Sequence, residues 1–158
     1  MQSHTWFSRA RVKFFHIYFV LKRPMTLGVR AVVLNEAEGN VFLVRHTYVP
    51  GWYLPGGGVE RGETMLQALA KELREEGNIE LTGEGELFGV YHNKRASVRD
   101  HVALYVVRHF RQTAPRLPDK EIAESGFFPL DALPDATTQS TRRRIAEVMD
   151  GRVPEDIW

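Results

Sequence analysis

Residues 57–79 read GGVERGETMLQALAKELREEGNI, and the fold is read outward from this stretch. Pro55-Gly56-Gly57-Gly58 is a loop in which the backbone takes unusual torsions or approaches something closely. From Thr64 the pattern turns helical. Thr64 and Gln67 have the spacing of a capping box, with Thr as N-cap and Gln at the third helical position. The helix is expected to stop at Gly77-Asn78, the two residue types that best tolerate a left-handed C-terminal turn, and Gly77 can take that turn over. At roughly 100° per residue, Glu72, Glu75 and Glu76 lie at about 0°, −60° and +40° on the wheel. Leu66, Leu69, Ala70 and Leu73 occupy an adjacent arc, while Lys71 and Arg74 point elsewhere. One stripe therefore packs on a core and three carboxylates share the next face. Like charges at these spacings destabilise a helix by a few tenths of a kcal/mol each. A solvated acidic face is the plain reading of the glutamates alone. The glycine loop ahead of the helix favours a sharper one, in which a hard divalent cation with oxygen ligands offsets the repulsion.

The rest of the chain reads as alternating strands and turns. Residues 5–22 carry Phe7, Arg11, Phe14, Tyr18 and Leu21 near helical spacing, and Pro24 ends that segment. Thr26–Leu34 and Val41–His46 read as a hairpin around the turn 35–40, followed by a short extended Trp52-Tyr53-Leu54. Leu87–Tyr91 and His101–Phe110 read as a second hairpin. A loop over 113–120, a short strand Gly126–Leu130 and a last helix over Thr137–Met149 complete the order β-β-β-α-β-β-β-α. That order predicts an α/β (α+β) fold, a mixed sheet with helices on its faces.

At 158 residues the chain has room for one such domain. It divides into a basic amphipathic segment 1–24, a domain over 25–150 and a tail 151–158. No cysteine is present, which excludes a disulfide scaffold, a thiol nucleophile and thiolate-bound zinc. The charge is uneven: no acid precedes Glu36, so the first 35 residues are +6 and the remainder −5, out of a net +1. The apolar run Phe14–Leu21 is too short to span a bilayer. Lys22, Arg23 and Pro24 follow it without a small-residue cleavage site, so a cytoplasmic location is expected. A basic aromatic helix can also rest on an anionic membrane surface, but a packing helix or a homodimer contact is the stronger expectation. The triplet Arg142-Arg143-Arg144 reads as the solvated face of the last helix rather than a phosphate site.

The stretch 57–79 resembles the Nudix box, G-x5-E-x7-R-E-U-x-E-E-x-G-U with U a bulky aliphatic. Gly57, Glu63, Glu72, Leu73, Glu75, Glu76 and Ile79 match it, and the flanking Leu54–Thr64 and Phe128-Pro129-Leu130 before Leu133-Pro134 also look typical. Two positions depart. Lys71 replaces the arginine that in the family orients the Glu63 position, keeping the charge but losing the planar fork. Asn78 replaces a glycine. Neither departure removes an acid.

The resemblance implies a Nudix-like α-β-α sandwich, with the 5–22 helix as an N-terminal addition. It also implies a hydrolase that cuts a phosphoanhydride bond in a nucleoside triphosphate or other nucleoside-diphosphate-linked substrate. Mg²⁺, or Mn²⁺, is then held by Glu72, Glu75 and Glu76 with the Gly57 carbonyl. Glu72, Glu75 or Glu121, the last in the loop ahead of the final strand, supplies the general base. The partner is a small nucleotide, and no nucleic acid is expected. Tyr48, Trp52, Tyr53 and Tyr91 are aromatic faces on which a base can stack, each equally readable as packing. Two other readings of the same resemblance are a non-catalytic nucleotide sensor and an isomerase of isoprenyl diphosphate. Sensor domains usually lose box acids, and all are kept here. The isomerase chemistry needs a further acid–base pair that often includes cysteine.

Overall fold

The computed structural model describes Tyr18, Lys22 and residues 24–158. The expected helix over 5–22 therefore lies almost wholly outside the described residues. Seven strands and two helices follow in the order β1 (Thr26–Asn35), β2 (Asn40–His46), α1 (Met65–Gly77), β3 (Ile79–Leu81), β4 (Glu86–His92), β5 (Asp100–Val107), β6 (Phe110–Gln112), β7 (Ile122–Pro129) and α2 (Gln139–Met149). Five strands form one sheet in the order β4-β5-β1-β2-β7. β1 runs parallel to β5, and the other neighbours are antiparallel, so the sheet is mixed as expected. It is covered on both faces. Val29, Ala31 and Val33 pack with Phe42 and Val44 against Ala68, Leu69 and Leu73 of α1. Val32 and Leu34 pack with Val41 and Leu43 against Ile145 and Val148 of α2. The two-residue period of β1 thus divides its side chains between two cores.

Several expectations change. The second hairpin ends at Val107, and Phe110 belongs to β6, which pairs with β3 in a separate two-stranded sheet. The short β3 directly after the helix carries no signal in the sequence, because three residues show no alternation. The last strand begins at Ile122, four residues before the expected Gly126. Within α1, Leu66 is exposed and Ala68 takes its place in the buried stripe, so the core-facing arc sits one step round the wheel. That rotation carries Glu76 to the buried edge of the helix, at 6 % exposure.

The termini of α1 follow their local chemistry. The Thr64 side chain accepts from the Gln67 amide and the Gln67 side chain accepts from the Thr64 amide, the reciprocal capping box. At the other end Asn78, not Gly77, takes the left-handed turn, with φ 51° and ψ 35°. Gly77 is the last helical residue. A Cβ there would lie 2.8 Å from the Phe42 ring and 2.9 Å from Ile79, so its role is close packing rather than torsion.

β1 and β2 pair only at Leu34–Val41 and Asn35–Asn40. Beyond that point the strands part, and residues 53–59 fill the gap. Tyr53 exchanges two backbone hydrogen bonds with Val44 of β2. On the other side Ala31 N–H donates to the Pro55 carbonyl, Val29 N–H to the Gly57 carbonyl, and Val59 N–H to the Leu27 carbonyl. The glycine loop is thus wedged into a split sheet, with its backbone as the filler.

The arginine triplet is not a solvated face. Arg144 is fully buried and donates to Glu147 at 2.8 Å, Glu155 at 3.1 Å and the Ile157 carbonyl at 2.8 Å. Arg142 donates to the Pro134 and Thr137 carbonyls. Only Arg143 is exposed. The tail 151–158 runs back along the edge of the sheet. Pro154 lies against Gly89, His92 N–H donates to the Asp156 carbonyl, and Trp158 N–H donates to the His92 carbonyl. It shields part of the β4 edge, which would otherwise present unpaired backbone groups.

Candidate functional site

The wedge brings the glycine loop onto the carboxylates of α1. Gly56 N–H donates to Glu76 Oε2 at 2.7 Å. The Glu72 carboxylate sits directly beneath Gly57, so close that an added Cβ would be 2.5 Å from Oε1. Glu75 is exposed, and its backbone carbonyl accepts from Arg116 Nε at 2.7 Å. Glu63 accepts from Glu60 N–H at 3.0 Å and from Lys71 Nζ at 3.3 Å, and Lys71 also approaches Glu72 at 4.0 Å. The lysine therefore lies between Glu63 and Glu72 on this side of the helix, and supplies part of the cationic compensation that was expected from outside.

A cavity of about 360 Å³ opens over this surface, and Glu72, Glu75, Glu76 and Glu121 all line it. Glu121 arrives from the loop before β7, and its backbone is held on two sides. Asp119 Oδ1 accepts from the Glu121 and Ile122 amides, each at 2.8 Å, and the Glu121 carbonyl accepts from Thr47 N–H at 2.9 Å. Arg116 ties the loop back to the helix through the Glu75 carbonyl and pairs with Asp119. The structure thus gathers every acid singled out from the sequence except Glu63 around one opening.

Four further titratable residues line that opening and were not singled out: Arg30, His46, Arg116 and Asp119. Arg30 had a visible signal, a lone charge inside the apolar run Val29–Leu34 of a strand. Its guanidinium donates to the Leu54 carbonyl at 3.1 Å and to the Gly56 carbonyl, holding the glycine loop from below. His46 ends β2 on the same face as Phe42 and Val44. Its Nε2 is 3.7 Å from Glu76 Oε1, with both side chains nearly buried.

Burial sets the charge state of this group. It pushes Glu76 up to about 7, against the opposing pull of Arg30 and the Gly56 hydrogen bond, and Glu72 and Glu75 add to the rise. Burial raises Glu72 as well, with Lys71 working against it. His46 is lowered by burial and then by Arg30. The His46–Glu76 contact therefore joins two groups that both lean toward neutrality rather than an ion pair.

Among the described residues no three Asp, Glu or His side chains converge closely enough to hold a metal. The shared face expected for Glu72, Glu75 and Glu76 is divided: Glu76 turns inward to Gly56, Glu72 lies under Gly57, and Glu75 faces solvent. The donor chemistry nonetheless fits a hard cation. It consists of carboxylates and peptide carbonyls, and the Gly57 carbonyl accepts only the Val29 N–H among the bonds described, which leaves a second lone pair.

Of the aromatic faces, Trp52 and Tyr91 are core residues, 7 % and 0 % exposed. Tyr53 donates its hydroxyl to the Pro50 carbonyl. Tyr48 alone stands free, at the cavity rim with its ring 5.2 Å from that of His46.

A model of the NUDIX domain matches residues 24–148. A protein of Bacillus subtilis (strain 168), whose name provisionally assigns it 8-oxo-dGTP diphosphatase activity, is 34 % identical over 77 residues, 49 % of this chain and 50 % of that protein. An RNA pyrophosphohydrolase of Gluconobacter oxydans (strain 621H) is 40 % identical over 58 residues, 34 % of each chain. The chain thus spans half the length of these relatives or less. Among solved structures, the crystal structure of a MutT NUDIX hydrolase from Burkholderia pseudomallei superposes with a TM-score of 0.66 at 26 % identity, over 78 % of this chain and 97 % of that one. A NUDIX hydrolase from Nitrosomonas europaea shares the fold with a TM-score of 0.67 at 22 % identity, over 85 % and 95 %.

Proposed function

Since the chain belongs to the NUDIX family, with the domain model matching residues 24–148, we propose that it hydrolyses a phosphoanhydride bond in a nucleoside triphosphate or another nucleoside-diphosphate-linked substrate, with Mg²⁺ or Mn²⁺ as cofactor. The observation that carries this reading is the gathering of Glu72, Glu75, Glu76 and Glu121 around one cavity floored by Gly56 and Gly57. A solvated acidic face would not bury Glu76, nor bind it to a glycine loop.

Glu72, Glu75, Glu76 and the Gly57 carbonyl would hold the cation. All are oxygen donors, which suit Mg²⁺ or Mn²⁺ over softer metals. Such a cation supplies charge neutralisation for the diphosphate and acidifies a water. The chain's own residues do the rest. Glu121, set over the cavity by the Asp119 turn, accepts the proton of the attacking water, with Glu72 or Glu75 as the other candidate bases. The water oxygen bonds to phosphorus, the bridging P–O bond breaks, and the leaving phosphate departs with its electron pair. Lys71 keeps Glu63 and Glu72 in place. Arg30 fixes the loop and lends positive charge beside the phosphates. Catalysis is then mainly positioning and charge stabilisation.

The test is a substrate panel in Mg²⁺, with products separated by chromatography. It includes the common nucleoside triphosphates, 8-oxo-dGTP and 5′-triphosphorylated RNA, the last two because of the relatives' names. Turnover that vanishes in excess chelator and returns with Mg²⁺ is expected. Binding without turnover across the panel would instead favour a nucleotide sensor. The reaction belongs to the domain 25–150 and not to the segment 1–24, and the cytoplasm is the compartment where such substrates occur.

A further inference from the structure

The glycine loop has a second cavity on its other side. It measures about 810 Å³ and shares Arg30 and Gly57 with the carboxylate cavity. The two differ in character. The first is walled by carboxylates and cations. The second is walled largely by apolar and neutral groups, among them Leu27, Tyr53, Leu54, Val102 and Trp158, and besides the shared Arg30 its charged members are Arg95 and Asp100. A ligand that spans both has a charged end and a flat, mostly apolar end, which is the build of a nucleotide.

Trp158 is the aromatic side chain on this wall that the tail supplies, and it is held firmly. The backbone N–H of Trp158 donates to the His92 carbonyl, and its indole meets the buried Tyr91 ring edge-on at 5.5 Å. The Arg144 guanidinium lies 4.4 Å from the Tyr91 ring centre and 5.7 Å from the Trp158 ring centre, while donating to the neighbouring Ile157 carbonyl. That arginine is itself fully buried and paired with Glu147. The indole is half-buried against the core, and its remaining surface lines the cavity. Asn93, the residue after His92, donates to Asp100 at 2.8 Å, and Thr26 donates to the same carboxylate at 2.7 Å. A fixed aromatic surface beside a fixed amide–carboxylate pair can take a base by its face and by its polar edge.

We propose that this second cavity receives the nucleobase of the substrate and that Trp158, positioned by Arg144, is the side chain on which the base stacks. The inference rests on the hydrolase reading for the other end of the ligand, and equilibrium binding tests it without turnover. The probes, in Mg²⁺, are the α,β-methylene analogues of ADP and GDP, with methylenediphosphonate as the base-free control. Trp158→Ala should weaken both nucleotide analogues by roughly 5- to 150-fold, the loss expected for one base–aromatic stack, and leave methylenediphosphonate unchanged. Trp158→Phe, which keeps an aromatic face, should restore most of the affinity. Should Trp158→Ala fail to fold, Trp158→Leu against Trp158→Phe makes the same comparison. Equal binding of the nucleotides by parent and variant overturns the proposal, and so does an equal loss for nucleotide and control, which would make the tail merely structural. Absence of turnover in a parent protein that binds nucleotides through Trp158 would overturn the hydrolase reading and leave the base contact standing.

Discussion

The carboxylate of Glu72 occupies the space that a side chain at Gly57 would need, since a Cβ there would lie 2.5 Å from Oε1 and 2.6 Å from the carboxylate carbon. The glycine gives the acid room beside a peptide carbonyl that serves the same site. Gly57 is not among the residues of positive φ, so alanine meets no torsional obstacle. What must move is the far end of a flexible glutamate. Gly57→Ala is therefore expected to leave the melting temperature within a few degrees of the parent and to remove most hydrolysis. Paired thermal melts and rate measurements check this. A variant that melts normally and turns over at the parent rate would detach Glu72 from the chemistry.

Gly56, one residue earlier, is constrained by backbone. Its φ is 136°, and a Cβ would meet the Val29 carbonyl oxygen at 2.1 Å and Arg30 Cα at 2.9 Å. No side chain can yield there. Torsional strain of about 1–3 kcal/mol adds to a displaced loop, a lost hydrogen bond to Glu76 and a reopened sheet. Gly56→Ala should lose several kcal/mol in urea denaturation, far more than Gly57→Ala. Similar losses for the two would mean that the loop does not hold the split sheet together.

Much of this arrangement is legible in sequence, and the residues show where legibility stops. The capping box of Thr64 and Gln67, the acids of the helix and the alternation in β1 and β2 are local signals with local causes. Arg30, His46 and Asp119 reach the site through the parting of β1 from β2 and the return of β7, which depend on contacts distant along the chain. The rotation that buries Glu76 and exposes Leu66 is a small turn of the helix about its axis, too fine for a wheel built on an ideal period. Arg144 shows the limit most clearly. Three consecutive arginines read as surface, and only the tail, with Glu155 and the Ile157 carbonyl, turns one of them into a core residue.

That burial makes its own prediction. Arg144 Nη2 donates to Glu147 at 2.8 Å, and Glu147 accepts from the Tyr91 hydroxyl at 2.9 Å. Removing the arginine alone leaves a buried carboxylate without its countercharge, which typically costs about 3–5 kcal/mol. Arg144→Ala should show that loss in chemical denaturation. Replacing both partners, as Arg144→Met with Glu147→Leu, should recover much of it, because the stranded charge is gone. A double variant as unstable as the single one would mean that packing against Tyr91 and Trp158, not charge, sets the cost.

The last prediction concerns pH in the metal-free protein. Burial holds the Glu76 carboxyl near 7 in the folded state, above its ordinary value of 4.5. Protonation is thus favoured by folding. Below about 4.5 the group is protonated folded or unfolded and makes no difference to stability. As pH rises from there toward 7, the unfolded chain ionises first and gains the advantage. Stability falls across that window and levels once the folded group has also ionised. The full span corresponds to roughly 3 kcal/mol. Glu76→Gln keeps an oxygen that can accept the Gly56 N–H, but it cannot ionise. In chelator, parent and variant should therefore be close in stability near pH 4.5, and the variant should pull ahead through pH 7 by up to that amount. The difference between the two curves isolates Glu76 from the other titrating groups. Added Mg²⁺ should reverse the order above pH 7, since a cation that binds only the folded parent stabilises it by mass action. Parallel curves in chelator, with no gain for the variant at neutral pH, would show that the burial of Glu76 carries no charge penalty. The loop–helix contact would then be structural, and the case for a cation at this carboxylate would fail with it.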